Sequence, residues 1–351
     1  MKTPEDTPFK TRYYRQAPNG KIVCTLCPRE CSLSEGQRGL CFVRGREEDS
    51  IVLYTYGKTS GLCVDPIEKK PLYHFLPSSS VLSFGTAGCN LTCKFCQNWH
   101  MSKSRDIATS SIHYSPSEIA QIAKRQKCAS VAFTYNDPVI FMEYAVDTAQ
   151  ACREEGIASV AVTAGYINKE PREEFFRYID GANIDLKGFT ESFYKKLCTG
   201  KLGAVLDTLR YVAKETNVWL EVTTLLIPEE NDSPNEIERL SSWIANELGR
   251  NVPLHFTAFH PDFRLTNRPR TPLETLVRAR EIALSNGLNF VYIGNVLHED
   301  GSTTYCRRCH LPLIKRWGYS TEITGLNLSH RCKQCGEPCP GVFDSSEMMT
   351  T

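Results

Sequence analysis

The sequence is short of long apolar runs. None approaches the roughly eighteen residues that a membrane-spanning helix requires. The opening residues MKTPEDTPFKTRYYRQ hold no apolar core of the length a secretory signal needs. A cytoplasmic protein with no membrane partner is therefore expected. Charge imbalance is also lacking: 41 Lys and Arg face 40 Asp and Glu, for a formal net charge of +1. That leaves no electrostatic footprint for nucleic acid. There is no Walker loop, and Gly85-Thr86-Ala87-Gly88 does not match the dinucleotide pattern G-x-G-x-x-G. No order of Ser, His and Asp suggests hydrolysis. What remains is an ordinary globular composition, 41% hydrophobic and 23% charged over 351 residues. That length suits one large domain with small attachments.

Cysteine is the exception, at sixteen. Disulfide-dense scaffolds are short and secreted, so this count needs another explanation. Most of the cysteines stand in close groups, which in a reducing compartment means metal. Only Cys63, Cys128, Cys152 and Cys198 fit scattered structural thiols. The central group is Cys89, Cys93 and Cys96, spaced C-x3-C-x2-C in Gly88-Cys89-Asn90-Leu91-Thr92-Cys93-Lys94-Phe95-Cys96-Gln97-Asn98-Trp99. A cubane cluster normally takes four thiolates. Three leave one iron without a protein ligand, and an open metal position is where chemistry happens. Phe95, one place before the last cysteine, is positioned to screen such a cluster from water.

Cys24, Cys27, Cys31 and Cys41 form a second group, with Gly36 and Gly39 available for a tight turn. Four thiolates there suit either a structural zinc ion or a second iron–sulfur cluster, and the spacing does not choose between them. Cys306-x2-Cys309 and Cys332-x2-Cys335 are two knuckles with the spacing of a zinc ribbon. Cys339, between two prolines, reads as a bystander. Cys306-Arg307-Arg308-Cys309-His310 also matches a haem-attachment pattern, but that chemistry needs export, and the second knuckle already explains the pair. The tail from Asp344 to Thr351 is expected to fray.

From Val81 onward, short β-branched runs alternate with amphipathic stretches. Strands are expected at 81–84, 130–135, 158–163, 182–187, 217–226, 254–259 and 289–293. Helices are expected between them, the first opening at Pro116 with Ser115 as its cap. Repeated βα units imply a parallel sheet, whose strand C-termini carry the site in α/β barrels. That rim collects Cys89, Cys93 and Cys96, then Thr134 to Asp137, Thr163 to Tyr166, Asp185 to Lys187, Ile227 to Asp232, His260 to Asp262, and Gly294-Asn295.

The C-x3-C-x-aromatic-C segment resembles the signature of radical S-adenosylmethionine (SAM) enzymes. The resemblance implies a [4Fe–4S] cluster on Cys89, Cys93 and Cys96, whose open iron is chelated by SAM. Reductive cleavage of SAM then gives a 5′-deoxyadenosyl radical that abstracts hydrogen from a substrate. It also implies a partial (β/α)6 TIM-like barrel, at 79–300. The flanking parts are a Cys-rich metal-binding segment at 1–78 and a zinc-ribbon-like module at 301–351. Tyr135, Asn136 and Asp137 stand where such proteins carry a Gly-Gly-Glu-Pro type segment for the SAM amino group. Thr163-Ala164-Gly165-Tyr166, Asp185-Leu186-Lys187 and Ile227-Pro228-x2-Asn231-Asp232 resemble segments of glycyl-radical activating enzymes, with Glu229 replacing a glycine. Thr163, Asp185 and Lys187 thus become candidate cofactor contacts, and His260 joins them from its place after the sixth strand. Asp65-Pro66-Ile67-Glu68-Lys69-Lys70-Pro71-Leu72-Tyr73-His74, taken with all three cysteine groups, narrows the likeness. It is similar to the radical SAM enzyme of the AmmeMemoRadiSam system, related to pyruvate formate-lyase activating enzymes. Memo-type and AMMECR-type partners and a low-potential electron donor such as ferredoxin or flavodoxin are implied. Two other readings stand beside it: an activase that places a glycyl radical on a partner, and a metal-binding or electron-transfer scaffold without SAM chemistry.

Overall fold

The computed structural model describes residues 8–105 and 111–344, so residues 345–351 of the tail expected to fray lie outside the described residues. The centre is a nine-stranded sheet. In chain order its strands are β1 (Lys58–Pro66), β2 (Ser80–Gly85), β3 (Ile112–His113), β4 (Ser130–Phe133) and β5 (Ala158–Thr163). They continue with β6 (Gly181–Asp185), β7 (Trp219–Leu226), β8 (Leu254–Ala258) and β9 (Val291–Gly294). The spatial order is β9-β8-β7-β6-β5-β4-β2-β1-β3. The run from β2 to β9 is parallel throughout, while β1 pairs antiparallel with both β2 and β3. All seven expected strands are present as the seven parallel ones. They were legible because strands covered on both faces read as near-continuous apolar runs: every residue of Ser130–Phe133 and of Leu254–Ala258 is buried.

The longer helices are α1 (Pro116–Arg125), α2 (Met142–Glu154), α3 (Lys169–Arg177), α4 (Leu202–Glu215), α5 (Pro234–Trp243) and α6 (Leu273–Ser285). Ser115 caps α1 as expected, accepting from the Glu118 amide while Glu118 reaches back to the Ser115 amide, so two orphan donors are satisfied at once. Three strands end earlier than expected, β8 by one residue at Ala258 and β4 and β6 by two. Tyr135 has φ +70°, which takes the chain out of the β region before it can continue β4. Leu186 and Lys187 lie beyond the end of β6.

The N-terminal segment forms two small three-stranded sheets, one around Ser50–Leu53 and one around Ile22–Cys24. The C-terminal module is a hairpin, Pro312–Trp317 with Ser320–Ile323, over a small core of Leu313, Ile314 and Leu326 with Cys306 and Cys332. It is bolted to the main sheet through the segment after β1. The Arg316 guanidinium donates to the Tyr73 carbonyl at 2.5 Å, Thr321 donates to Glu68 at 2.8 Å, and Val342 exchanges backbone bonds with His74 and Leu76. Among the described residues, no helix is long and apolar enough to cross a membrane.

Candidate active site

The three central cysteines stand on the loop that leaves β2, and they share one wall of a cavity of about 400 Å³. A cavity of that size suits a small-molecule ligand. The loop has little regular structure, so its shape is imposed by bonds to distant backbone. Thr92 and Lys94 donate to the Cys198 and Leu197 carbonyls at 3.1 and 2.9 Å. The Asn90 amide group donates to the Tyr166 carbonyl at 2.9 Å, and the Lys103 ammonium donates to the Leu91 carbonyl at 2.6 Å. Phe95 is buried against Phe193, their ring centres 5.8 Å apart. All sixteen cysteines are free thiols, so none of the metal groups is tied up in disulfides.

A hydrogen bond from the Cys198 thiol, with Lys187 and Lys103 nearby, outweighs the effect of burial and brings Cys93 down to about 7. Three cysteines on a cavity lined by both polar and apolar groups fit a cluster held by three thiolates and open on its fourth side.

The residues after β4 do different jobs. Asn136 is a strut: its Nδ2 donates to the Gly88 carbonyl at 2.8 Å, and its Oδ1 accepts from the Thr86 amide at 3.2 Å. Asp137 is fully engaged. It accepts from the Val139 amide, from the Thr163 hydroxyl at 2.8 Å and from the Ala164 amide at 3.1 Å. Burial nevertheless raises its carboxyl above the usual range. Tyr135 turns its hydroxyl away toward Asp65 at 3.0 Å and Cys63 at 2.9 Å.

Asp185 and Lys187 form an ion pair at 2.7 Å in the cavity wall. Burial disfavours the Lys187 charge, but Asp185 and then the Cys93 sulphur outweigh it, so the amine stays protonated well above the usual lysine range. Asn231 clamps this turn by donating to the Lys187 carbonyl at 2.8 Å, and Glu229 carries φ +67°, a conformation that a glycine adopts freely. His260 is not brought into the cavity. Its side chain is 54% exposed and meets the cavity-lining Gln97 at 3.0 Å.

Sequence reasoning missed one arm of the site. Lys69 and Lys70 both line the cavity and both bind Asp65, at 2.8 and 2.6 Å. Burial works against the Asp65 charge, but the two lysines hold its carboxyl well below the usual carboxylate range. The signal was the charged run Glu68-Lys69-Lys70, which reads as an irregular approach until β1 pairs with β2.

Among the described residues, one group of cysteines forms a tight metal cage. The Cys306, Cys309, Cys332 and Cys335 sulphurs all lie within 4.8 Å of one another. Cys339 is buried outside that group, donating weakly to the Pro340 carbonyl at 3.8 Å.

Fold and site define an α/β protein with three cysteines lining a ligand-sized cavity at the C-terminal ends of parallel strands. The model of the radical SAM superfamily matches residues 84–241. An uncharacterised protein of Methanocaldococcus jannaschii is 42% identical over 328 residues, spanning 93% of this chain and 97% of its own. The pyruvate formate-lyase-activating enzyme of Clostridium pasteurianum is 25% identical over 162 residues, 45% of this chain and 67% of that one. A radical SAM methyltransferase from Sphaerobacter thermophilus shares the fold, with a TM-score of 0.50 and 14% identity, over 84% of this chain and 79% of that one. The chain belongs to the radical SAM superfamily. It is an enzyme with activating-enzyme homologues, and the family implies a [4Fe–4S] cluster and SAM.

Proposed function

We propose that Cys89, Cys93 and Cys96 hold the [4Fe–4S] cluster and that the cavity beside them receives SAM and a substrate carrying an abstractable hydrogen. The observation that carries this reading is the convergence of three sulphurs, the Asp185–Lys187 pair and the Lys69–Lys70 arm on one cavity of about 400 Å³. When bound, cluster and SAM supply a 5′-deoxyadenosyl radical for hydrogen abstraction. The chain's own groups position and shield. Lys187, charged and fixed by Asp185, suits the SAM carboxylate. Asp137 and Thr163 shape the turn that faces the SAM amino group, and Tyr135 forms the wall toward β1. The sheet is read as a partial (β/α)6 TIM-like barrel, which keeps the reacting centre from water. The C-terminal quartet is read as a zinc-ribbon-like site, and the N-terminal quartet as a second metal site. The scaffold reading is disfavoured, because a scaffold has no use for polar groups drawn from several strand ends onto one cavity.

The test is anaerobic. The protein is reconstituted with iron and sulfide, reduced, given SAM, and assayed for 5′-deoxyadenosine. The product is expected from the parent chain and lost with Cys93→Ala. A full cluster with no 5′-deoxyadenosine, with or without Memo-type and AMMECR-type proteins, sinks the reading. A second reading, activation of a partner by a glycyl radical, is favoured by the likeness to the Clostridium pasteurianum activating enzyme. It requires a glycyl radical signal that appears by electron paramagnetic resonance when the partner is added.

A further inference from the structure

The two auxiliary cysteine quartets are built on different scales. At the C-terminal one, Cys306 and Cys335, and likewise Cys309 and Cys332, have sulphurs 3.5 Å apart. Four thiolates about one ion, with metal–sulphur bonds of about 2.3 Å, make a tetrahedron with edges of about 3.8 Å. That quartet is drawn to the size of a single ion.

The N-terminal quartet is not. Among the described residues, the C-terminal quartet alone has three or more ligand atoms mutually within 4.8 Å, so no three of the Cys24, Cys27, Cys31 and Cys41 sulphurs lie that close together. They nevertheless converge, all four lining one cavity of about 20 Å³ with Leu26 and Leu33. A void that admits a water-sized body, roughly 10–15 Å³ or more, is not what four thiolates closed on one ion leave between them. Sulphurs held apart around a common void match a cluster, in which each thiolate binds a different iron. Cys89, Cys93 and Cys96, proposed above to hold a cubane, likewise do not have their three sulphurs mutually within 4.8 Å.

The surroundings agree. The wall is apolar apart from Arg29, Arg44 and Asn90. Arg44 is buried, donates to the Ile140 carbonyl at 2.8 Å and is paired with Glu143, which fixes a cation beside the four thiolates. That offsets negative charge that burial otherwise penalises. The quartet also touches the catalytic loop directly. Arg29 donates to the Asn90 carbonyl at 2.8 Å. The Cys41 carbonyl lies so close to Gly88 that a Cβ there would sit 2.1 Å away. Gly88 and Asn90 flank Cys89.

We propose that Cys24, Cys27, Cys31 and Cys41 hold an iron–sulfur cluster rather than a zinc ion, seated against the cysteine loop of the catalytic centre. The identity of this site stands on its own geometry, and only its neighbour rests on the radical SAM reading. The probe is iron and sulfide, supplied anaerobically to the full chain. The parent is expected to take up roughly eight irons, four per cubane. The triple variant Cys89→Ala, Cys93→Ala, Cys96→Ala should keep about half the iron and the sulfide, with a reduced-state paramagnetic signal of its own. Cys27→Ala should keep the other half. The reduced parent spectrum should differ from the sum of the two variant spectra, because neighbouring spins couple. Zinc without sulfide in the triple variant overturns the cluster. Should that variant not fold, a parent chain with about four irons and a quartet-bound zinc overturns it equally. A parent spectrum equal to the sum overturns the placement beside the catalytic loop. Loss of SAM cleavage in the parent leaves the iron count of the triple variant unaffected, so the two readings fail separately.

Discussion

Asn136 and Gly88 are joined by a hydrogen bond of 2.8 Å from the Asn136 side-chain amide to the Gly88 carbonyl, across 48 residues of chain. Asn136 also receives the Thr86 amide. One buried side chain therefore holds both sides of the turn that delivers Cys89. An asparagine expected to contact the cofactor lines the cavity and also sets the geometry of the cysteine loop.

Replacing Asn136 by Ala leaves a buried carbonyl and a buried amide without that partner. The cost is about 1–3 kcal/mol. The variant is expected to unfold at lower urea and to take up less iron on reconstitution, because the loop loses its fixed shape. Unchanged iron content with lowered stability would show that the loop is held elsewhere.

The Asp185–Lys187 pair allows a sharper separation. Asp185→Asn removes the main partner of a partly buried ammonium. The Asp185 side chain is partly exposed, so the loss is expected at about 1–2 kcal/mol, below that of a fully buried pair. If Lys187 binds the SAM carboxylate, Lys187→Met weakens SAM binding by tenfold or more while iron content holds. Equilibrium binding of SAM to the reconstituted variant checks this, and unchanged affinity rules the contact out.

His74, which lines no part of the cavity, predicts a pH dependence of stability. It is fully buried, with ring nitrogens on the Pro340 carbonyl at 2.6 Å and the Tyr292 hydroxyl at 2.5 Å, and with Glu221 and Arg316 nearby. Burial brings it down from 6.5 to about 4, against a smaller opposing effect of Glu221. The folded value lies below the unfolded one, so the unfolded chain takes up the proton first as pH falls. The stability His74 contributes is complete above pH 6.5 and is lost progressively toward pH 4. The loss is on the order of 3 kcal/mol. Urea midpoints across that range should fall less steeply for His74→Gln than for the parent. Parallel curves would refute the assignment.

The C-terminal quartet predicts dependence on a metal. Its module has a small core of its own, so bound metal contributes to its folding. Cys309→Ala, or chelation, should release one ion per chain and speed amide exchange in Pro312–Trp317 and Ser320–Ile323. Slow exchange that persists after chelation would show that docking by Arg316 and Thr321 suffices.

The parts legible in the sequence were those written in short-range pattern. The seven parallel strands were visible because both of their faces are buried. The Cys89 loop was visible because three cysteines fall within eight residues. The rest depends on pairing across long separations. Lys58–Pro66 gave no strand signal: it contains Gly61, ends in Pro66, and pairs with β2 through an irregularity between Ser60 and Cys63. Without that pairing nothing brings Lys69 and Lys70 to the cavity. Cys198 reads as a scattered thiol, yet it hydrogen-bonds Cys93 across more than a hundred residues. His260 was assigned from its place after a strand, but strand order does not fix which way a loop side chain turns.

Gly88 concentrates these relationships in one position. It has φ +86°, and a Cβ there would meet the Cys41 carbonyl at 2.1 Å. Backbone on backbone has no flexible end to swing aside, so Gly88→Ala must separate the N-terminal segment from the cysteine loop or distort both. A left-handed alanine alone costs about 1–2 kcal/mol, and the overlap adds to that. Gly203 is the matched control: it lies in the first turn of α4 with nothing within 4 Å of its would-be Cβ. Gly203→Ala is expected to stabilise by about 0.5–1 kcal/mol through helix propensity. Thermal denaturation of the pair should move in opposite directions, and iron uptake should fall only in Gly88→Ala. Equal iron uptake in both variants would mean that contact with Cys41 is not needed to shape the cluster loop, and that the N-terminal segment folds beside the catalytic centre without holding it.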